Sequence, residues 1–267
     1  MASSSVAKTR VVSFNANGIR AAQRKGFFEW MARESPDIVC IQETKAQVHQ
    51  LTDEAFHPQG YHCVYNDAER KGYSGTAVYS RVKPRSVTTR LGWEPVDGEG
   101  RYLQCDFAGL SVISLYVPSG SSSDAALEKK FTFMELFLEH LRVLKRKRRE
   151  FIICADWNTC HQNIDLRNWR ANQKNSGFLP EERAWLDQIY DEIGFVDSFR
   201  VADTEPDRYT WWSNRGQAWA NNVGWRLDYQ MITPKLVPAV SGASIYTEER
   251  FSDHAPQIME FELEIKP

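Results

Sequence analysis

The chain has 267 residues, 42% hydrophobic and 25% charged, enough apolar material for one large core or two small ones. A formal net charge of −2 argues weakly against a whole-surface polyanion binder, and a local basic face around acidic ligands fits such a total. No apolar stretch approaches the length of a membrane span, and residues 1–10 lack the apolar segment of a secretory signal, so a soluble, cytoplasmic protein is expected.

Residues 1–10, with Ser3, Ser4 and Ser5, read as a mobile leader. Residues 11–267 read as a single domain, because no linker, low-complexity tract or repeat divides them. Residues 11–14 predict a short strand, and 27–33 a helix with Phe27, Phe28, Trp30 and Met31 inward. Pro36 and Asp37 interrupt, and 38–41 is a fully apolar strand. Strands continue at 61–66, 75–80, 102–107 and 110–116, the last two joined by an Ala108-Gly109 turn. Residues 128–145 carry the stripe Phe131, Met134, Phe137, Leu138, Leu141 and Leu144 and predict the best helix. The run KRKRR at 145–149 reads as a solvated helix end, opposite the C-terminal end of the buried strand that follows at 151–154. Pro180, Glu181 and Glu182 open another helix, and 226–232 and 257–263 close as strands. Hairpins dominate from 61 to 116, which excludes a doubly wound parallel sheet. The pattern predicts an α/β sandwich, two mixed sheets packed together with helices outside.

The five cysteines, Cys40, Cys63, Cys105, Cys154 and Cys160, are odd in number and form no CxxC pair. They predict reduced thiols and no zinc site. Several strand-like runs instead end in oxygen-bearing or imidazole side chains: Asn15 and Asn17, Glu43, Asp156 and Asn158, Asp253 and His254. Asp228 lies within a half-apolar strand. A lone carboxylate at a strand end ordinarily caps a turn. The recurrence points instead to a shared hard divalent cation, Mg²⁺. Alternation places Asp156 and Asn158 on one side. His254 has Asp253 adjacent and Asp228 placed to orient its second ring nitrogen, which raises its pKa. An imidazolium beside a metal suits an anionic, phosphoryl-type transition state. His161 is the competitor, while His49, His57, His62 and His140 look incidental.

The strings FNANGIR (14–20), QETK (42–45), RKGYSGTAVYS (70–80), LYVPSG (115–120), DWN (156–158), NIDL (163–166), GFLPEER (177–183), YTWW (209–212), NVGWRLDY (222–229) and SDHAP (252–256) occur in this order. Together they resemble the exonuclease III family of abasic-site endonucleases, across residues 11–261. The resemblance implies a four-layer α/β sandwich and Mg²⁺-dependent phosphodiester hydrolysis, with Mn²⁺ as a substitute. It implies Glu43 as the principal metal ligand, with Asn17 and Asp253 nearby and Asp156 and Asn158 adjoining. Asp156 would orient or deprotonate the attacking water, while Asn15 and Asn158 hold phosphate oxygens and the water. Tyr116 would contact phosphate, and Asp228 would partner His254. Trp211, Trp225 and Leu227 match an apolar slot for a flipped-out, base-free sugar, whose unpaired state makes extrusion cheap. Arg70, Lys71, Arg101 and Lys174 are candidate phosphate-backbone contacts.

The expected activity is incision 5′ to abasic sites in double-stranded DNA, leaving a 3′-hydroxyl, with 3′-phosphodiesterase and 3′→5′ exonuclease action. The partner is DNA with abasic sites or blocked 3′ ends, bound by a monomer, with no membrane. Ala155 stands where the family usually has glycine, and Thr159-Cys160 is an uncommon pair. These departures bear on rate more than on mechanism. One alternative is a catalytically weak, nucleic-acid-binding regulatory member of the same family. A lipid- or inositol-phosphate hydrolase on this scaffold would lack the NVGWRLDY string.

Overall fold

The computed structural model describes residues 7–94 and 96–267. Its strands begin with β1 (Thr9–Asn15), β2 (Ile38–Gln42), β3 (His62–Asn66), β4 (Thr76–Ser80) and β5 (Ser86–Thr88). Next come β6 (Tyr102–Asp106), β7 (Leu110–Tyr116), β8 (Glu150–Asp156), β9 (Val196–Asp197) and β10 (Trp211–Trp212). The last are β11 (Gly224–Trp225), β12 (Asp228–Ile232), β13 (Val240–Ile245) and β14 (Gln257–Phe261). The helices are α1 (Ile19–Arg24), α2 (Phe27–Glu34), α3 (Asp124–Lys145), α4 (Trp169–Asn172), α5 (Pro180–Asp187) and α6 (Ser198–Ala202).

One sheet has the order β13-β14-β1-β2-β4-β3 and the other β5-β6-β7-β8-β12-β9, while β10 and β11 form a separate ribbon. Both six-stranded sheets are mixed: β1–β2 and β7–β8 are parallel pairs, and β8–β12 and β2–β4 are antiparallel. Period-two alternation builds the layers. Val12 and Phe14 of β1, with Val39 and Ile41 of β2, pack against Ile19, Phe27 and Trp30 of α1 and α2. Val11, Ile38, Cys40, Val112, Ile152 and Cys154 form the core between the sheets. Ile113, Ile153 and Ala155 face Phe137 and Leu141 of α3 and Leu186 of α5. The result is the expected sandwich with helices on both outer faces.

Several expectations are corrected in detail. Thr9 and Arg10 belong to β1, not to a leader: Thr9 Oγ1 donates to the Leu263 carbonyl at 2.7 Å, and Arg10 ion-pairs with Glu34 and Glu260. The first six residues of that leader lie outside the described residues. In α3 the buried face is Lys130, Phe133, Met134, Phe137, Leu138, Leu141 and Leu144, and Phe131 is only partly buried. Strands β5 and β13 were not expected, because they are exposed or half-buried edge strands without a buried alternating face. The Ala108-Gly109 turn is present, with Gly109 at φ 72°, a backbone region that glycine enters without a Cβ penalty. Ala155 sits fully buried in β8 without a positive φ, so the added methyl causes no backbone strain. All five cysteines are free thiols. Among the described residues, no helix is long and apolar enough to cross a membrane.

Candidate active site

Toward the end of the sandwich where β1, β2, β7 and β8 finish, the face between the sheets turns from aliphatic to polar. Gln42 Nε2 donates to Ser114 Oγ and to the Cys154 carbonyl, both at 3.2 Å. Gln230 Nε2 donates to the Val11 and Gln257 carbonyls at 3.1 Å, and Gln257 Nε2 to the Asp228 carbonyl at 3.0 Å. Through their N–H groups these buried amides tie the two sheets together, while the Oε1 atoms of all three have no hydrogen-bond partner. One period further out lie Asn15, Tyr116, Asp156 and Asp228. Asp156 is in register with both Tyr116 and Asp228.

Turn geometry then adds residues that alternation alone would not. Asn17, Glu43 and Asn158 all have positive φ, at 44°, 52° and 49°. For a glutamate such a conformation costs about 1–2 kcal/mol, and strain of this kind concentrates at functional sites. Asp156 and Asn158 do converge, but β8 ends at Asp156, so the left-handed turn and not strand alternation brings them together. The Asn158 backbone N–H donates to Asp156 Oδ1 at 2.9 Å, and its Nδ2 donates to the Val117 carbonyl at 2.8 Å. Asn15 is fully buried, its Nδ2 donating to Glu43 Oε1 at 2.8 Å and Asp156 Oδ2 at 2.7 Å, while its Oδ1 accepts the Asn17 N–H. Both amide hydrogens of Asn15 are thus committed to carboxylates in this structure.

His254 Nδ1 lies 2.8 Å from Asp228 Oδ2, and Nε2 lies 3.8 Å from Asp156 Oδ2. Burial disfavours the charged imidazole, but Asp228 outweighs it, with Asp156 and Asp253 adding, and pushes His254 up to about 10. Burial, reinforced by Asp228 and Glu43 against the pull of His254, raises Asp156 to about 7. Tyr116 is held well above its ordinary value by burial and by Glu43, so its phenol stays neutral. His161, the competing imidazole, contacts Asp187 at 2.6 Å instead.

The donor set fits a hard cation. Burial tends to raise Glu43, yet Lys45 and Asn15 hold it below its ordinary value. The Lys45 ammonium reaches Glu43 Oε2 at 2.7 Å and Asn17 Oδ1 as well, a cation already gathered by the oxygens assigned to metal. Asn17 Nδ2 donates to Asp253 Oδ1 at 2.9 Å, which brings the third oxygen donor alongside. Asp156, Asp228 and His254 also offer atoms close enough to share an ion. The Nδ1 contact already occupies one oxygen of Asp228, while the other, Oδ1, has no hydrogen-bond partner.

A cleft of about 760 Å³ opens over these groups and includes Trp211, Trp225, Leu227 and Lys174. The rings of Trp211 and Trp225 meet edge to face at 6.1 Å, and Cys160, Leu166, Phe178 and Leu227 pack behind them. Thr159 is buried beneath, with its hydroxyl lacking a partner, and Cys160 Sγ points to the Asp165 carbonyl at 3.3 Å. Arg70, Lys71 and Lys174 are exposed and free to meet phosphates. Arg101 is not: it is 3% exposed, bonded to Glu99 at 2.5 Å and to Tyr73, with its guanidinium 4.7 Å from the Tyr116 ring centre. Its expected contact with a DNA backbone is corrected to a contact that backs Tyr116.

Sequence reasoning missed a second tier. Buried Lys130 donates to Glu182 Oε1 at 2.5 Å and to the Asn158 carbonyl at 2.7 Å. Glu182 Oε2 in turn accepts the N–H groups of Gly177 and Leu179, at 2.6 and 2.9 Å. This pair therefore pins both the Asn158 turn and the loop that carries Phe178. Gly177, at φ 97°, holds a backbone conformation that other residues rarely adopt, and a Cβ there would press on the Trp225 ring at 3.1 Å. A lysine three residues before the buried Phe133 was the available signal for Lys130.

A mixed double-sheet sandwich with a buried Asp–His dyad beside a carboxylate-rich cation site is the architecture of a phosphodiester hydrolase. Comparison with known proteins agrees: residues 12–254 match the Endonuclease/Exonuclease/phosphatase family, and the chain belongs to it. The chain is 38% identical to an exodeoxyribonuclease of Bacillus subtilis, over 92% of this chain and 97% of that protein. It is 37% identical to the DNA repair nuclease APEX1 of Danio rerio, over 94% and 81%. The structure of an AP endonuclease from Archaeoglobus fulgidus superposes with a TM-score of 0.87 at 29% identity, covering 96% of this chain and 100% of that one.

Proposed function

We propose that this chain is a Mg²⁺-dependent class II AP endonuclease that hydrolyses the phosphodiester 5′ to an abasic site in double-stranded DNA and leaves a 3′-hydroxyl. Removal of 3′-blocking groups and 3′→5′ exonuclease action follow from the same chemistry at a strand end. The observation that carries the reading is adjacency: the Trp211 ring, a wall of the slot, lies 6.5 Å from the ring of His254. A base-free sugar placed against the wall made by Trp211, Trp225 and Leu227 sets its 5′ phosphate over the dyad. An intact nucleotide must bring its base into the same narrow space, which supports selection for abasic sites.

Asp156, held by Asn15 and by the Asn158 backbone, takes the proton of the attacking water, and its raised pKa suits a base working near neutral pH. The Asn158 carboxamide, anchored on Val117, orients that water. His254 stays cationic because Asp228 holds Nδ1, so Nε2 donates to a non-bridging phosphate oxygen as charge grows there. The neutral Tyr116 phenol donates to the same phosphate. Glu43, Asp253 and Asn17 would hold the Mg²⁺, which would supply neutralisation of the negative charge that develops during hydrolysis.

An abasic duplex and a matched intact duplex, each incubated with Mg²⁺ and with chelator, test the reading on one gel. Incision of the abasic strand alone, abolished by chelator, is the expected result. Binding without incision would instead identify a regulatory nucleic-acid-binding member of the family.

A further inference from the structure

We propose that the Trp211 indole has a second role beside lining the slot: its N–H fixes the Asp253 carboxylate for the divalent cation, so the sugar slot and the metal site share one side chain. The inference rests on reading Asp253 as a metal ligand. Trp211 Nε1 donates to Asp253 Oδ2 at 3.0 Å. The other oxygen, Oδ1, already accepts from Asn17 Nδ2 at 2.9 Å and from Ser252 Oγ at 3.1 Å. Both ends of the carboxylate are therefore held, and the indole is the donor that stops Oδ2 from turning.

The backbone leaves the indole little freedom. Trp211 pairs with Trp225 across the β10–β11 ribbon and bridges to His254 on its other side. The Trp212 N–H donates to the Asp253 carbonyl at 3.0 Å, and the Ala255 N–H to the Thr210 carbonyl at 2.8 Å. The same ring thus faces Trp225 edge to face while its nitrogen points at the metal site. Phenylalanine would preserve the wall and remove the donor. A donor that orients a metal-ligating carboxylate is typically worth roughly tenfold or more in metal affinity.

The two roles separate with two variants of the full chain. Trp211→Phe keeps an aromatic wall without the N–H. Trp211→Gln places an amide donor at the same number of bonds from Cα without the ring. MnCl₂ alone is titrated calorimetrically into each protein, with Asp253→Asn as reference. The ratio of abasic to intact duplex cleavage is measured separately at saturating Mg²⁺. The expected result is reciprocal: Trp211→Phe binds Mn²⁺ roughly tenfold more weakly and keeps its abasic preference. Trp211→Gln keeps its Mn²⁺ affinity and loses that preference. Wild-type Mn²⁺ affinity in Trp211→Phe, with Asp253→Asn weakened, overturns the proposal. Equal weakening in both Trp211 variants also overturns it, by reducing the indole to packing. Unchanged affinity in Asp253→Asn removes Asp253 from the ligands and the proposal with it, while the chelator gel judges the hydrolase reading separately.

Discussion

The two ends of strand β8 carry opposite kinds of polarity. Ahead of it, Lys145 donates to the Gly194 carbonyl and Arg149 to the Phe107 and Leu110 carbonyls, while Arg146, Lys147 and Arg148 stand in solvent. Beyond it, Asp156 is buried among Asn15, Asn158, Asp228 and His254, each side chain held by another. The first end has the higher charge density and the second has the convergent buried titratable groups. Convergence of buried groups with shifted protonation, not a run of like charges, marks the working end.

The comparison breaks most visibly if the buried end is not catalytic. Asp156→Asn and His254→Ala should each lower single-turnover incision by about 10²–10⁴-fold, the usual worth of positioned acid–base groups, with duplex affinity largely kept. Parallel loss of binding would make them structural. Next in size is the supporting pair beneath the site. Lys130→Met leaves Glu182 charged and unpaired in the interior and should cost roughly 3–5 kcal/mol in urea unfolding. Adding Glu182→Gln should recover part of that loss.

Asp165 sharpens the contrast through pH. Burial opposes its charge, but Arg226 and then Arg200 pull it down to about 2 from an ordinary 3.8. A carboxyl depressed by folding stabilises the protein above its ordinary value, and that contribution fades as pH falls from about 4 toward 2. Roughly 2 kcal/mol should therefore disappear over this window in acid titrations of stability, and Asp165→Asn should show a flatter profile there. In the slot, Trp225→Ala should reduce the preference for abasic over intact duplex by about tenfold, within the range that apolar pocket contacts provide. The smallest effect belongs to the basic end. Replacing Arg146, Lys147 and Arg148 together by alanine should change stability by less than about 0.5 kcal/mol, as exposed substitutions do. A large loss of duplex affinity in that triple variant would move the nucleic-acid interface to the other end of the sandwich.

How much of this was legible beforehand differs by element. Strands β2 and β8 hold continuous apolar runs, and β7 is interrupted only by the small buried Ser111 and Ser114, so all three are legible nearly to their ends. The resemblance also named Glu43, Asp156, Asp228, Asp253 and His254, which the structure gathers around one cleft. The two carboxylate partners of Asn15 were not legible, because a side chain's hydrogen bonds can be assigned only once its neighbours are known. Arg101 was misread because an arginine just ahead of a strand looks exposed until Glu99 and Tyr116 close around it.

By itself the sequence determined the layers and the chemical inventory. Period-two and helical periodicity depend only on neighbouring residues, and ligand types are read directly from the chain. The tertiary structure decided the rest: the left-handed turns at Glu43 and Asn158, the Lys130–Glu182 clamp, and the indole shared between slot and carboxylate. The clamp and the shared indole join residues dozens of positions apart, and whether a buried charge is neutralised or left alone is set by groups that only the packed fold brings within hydrogen-bond reach.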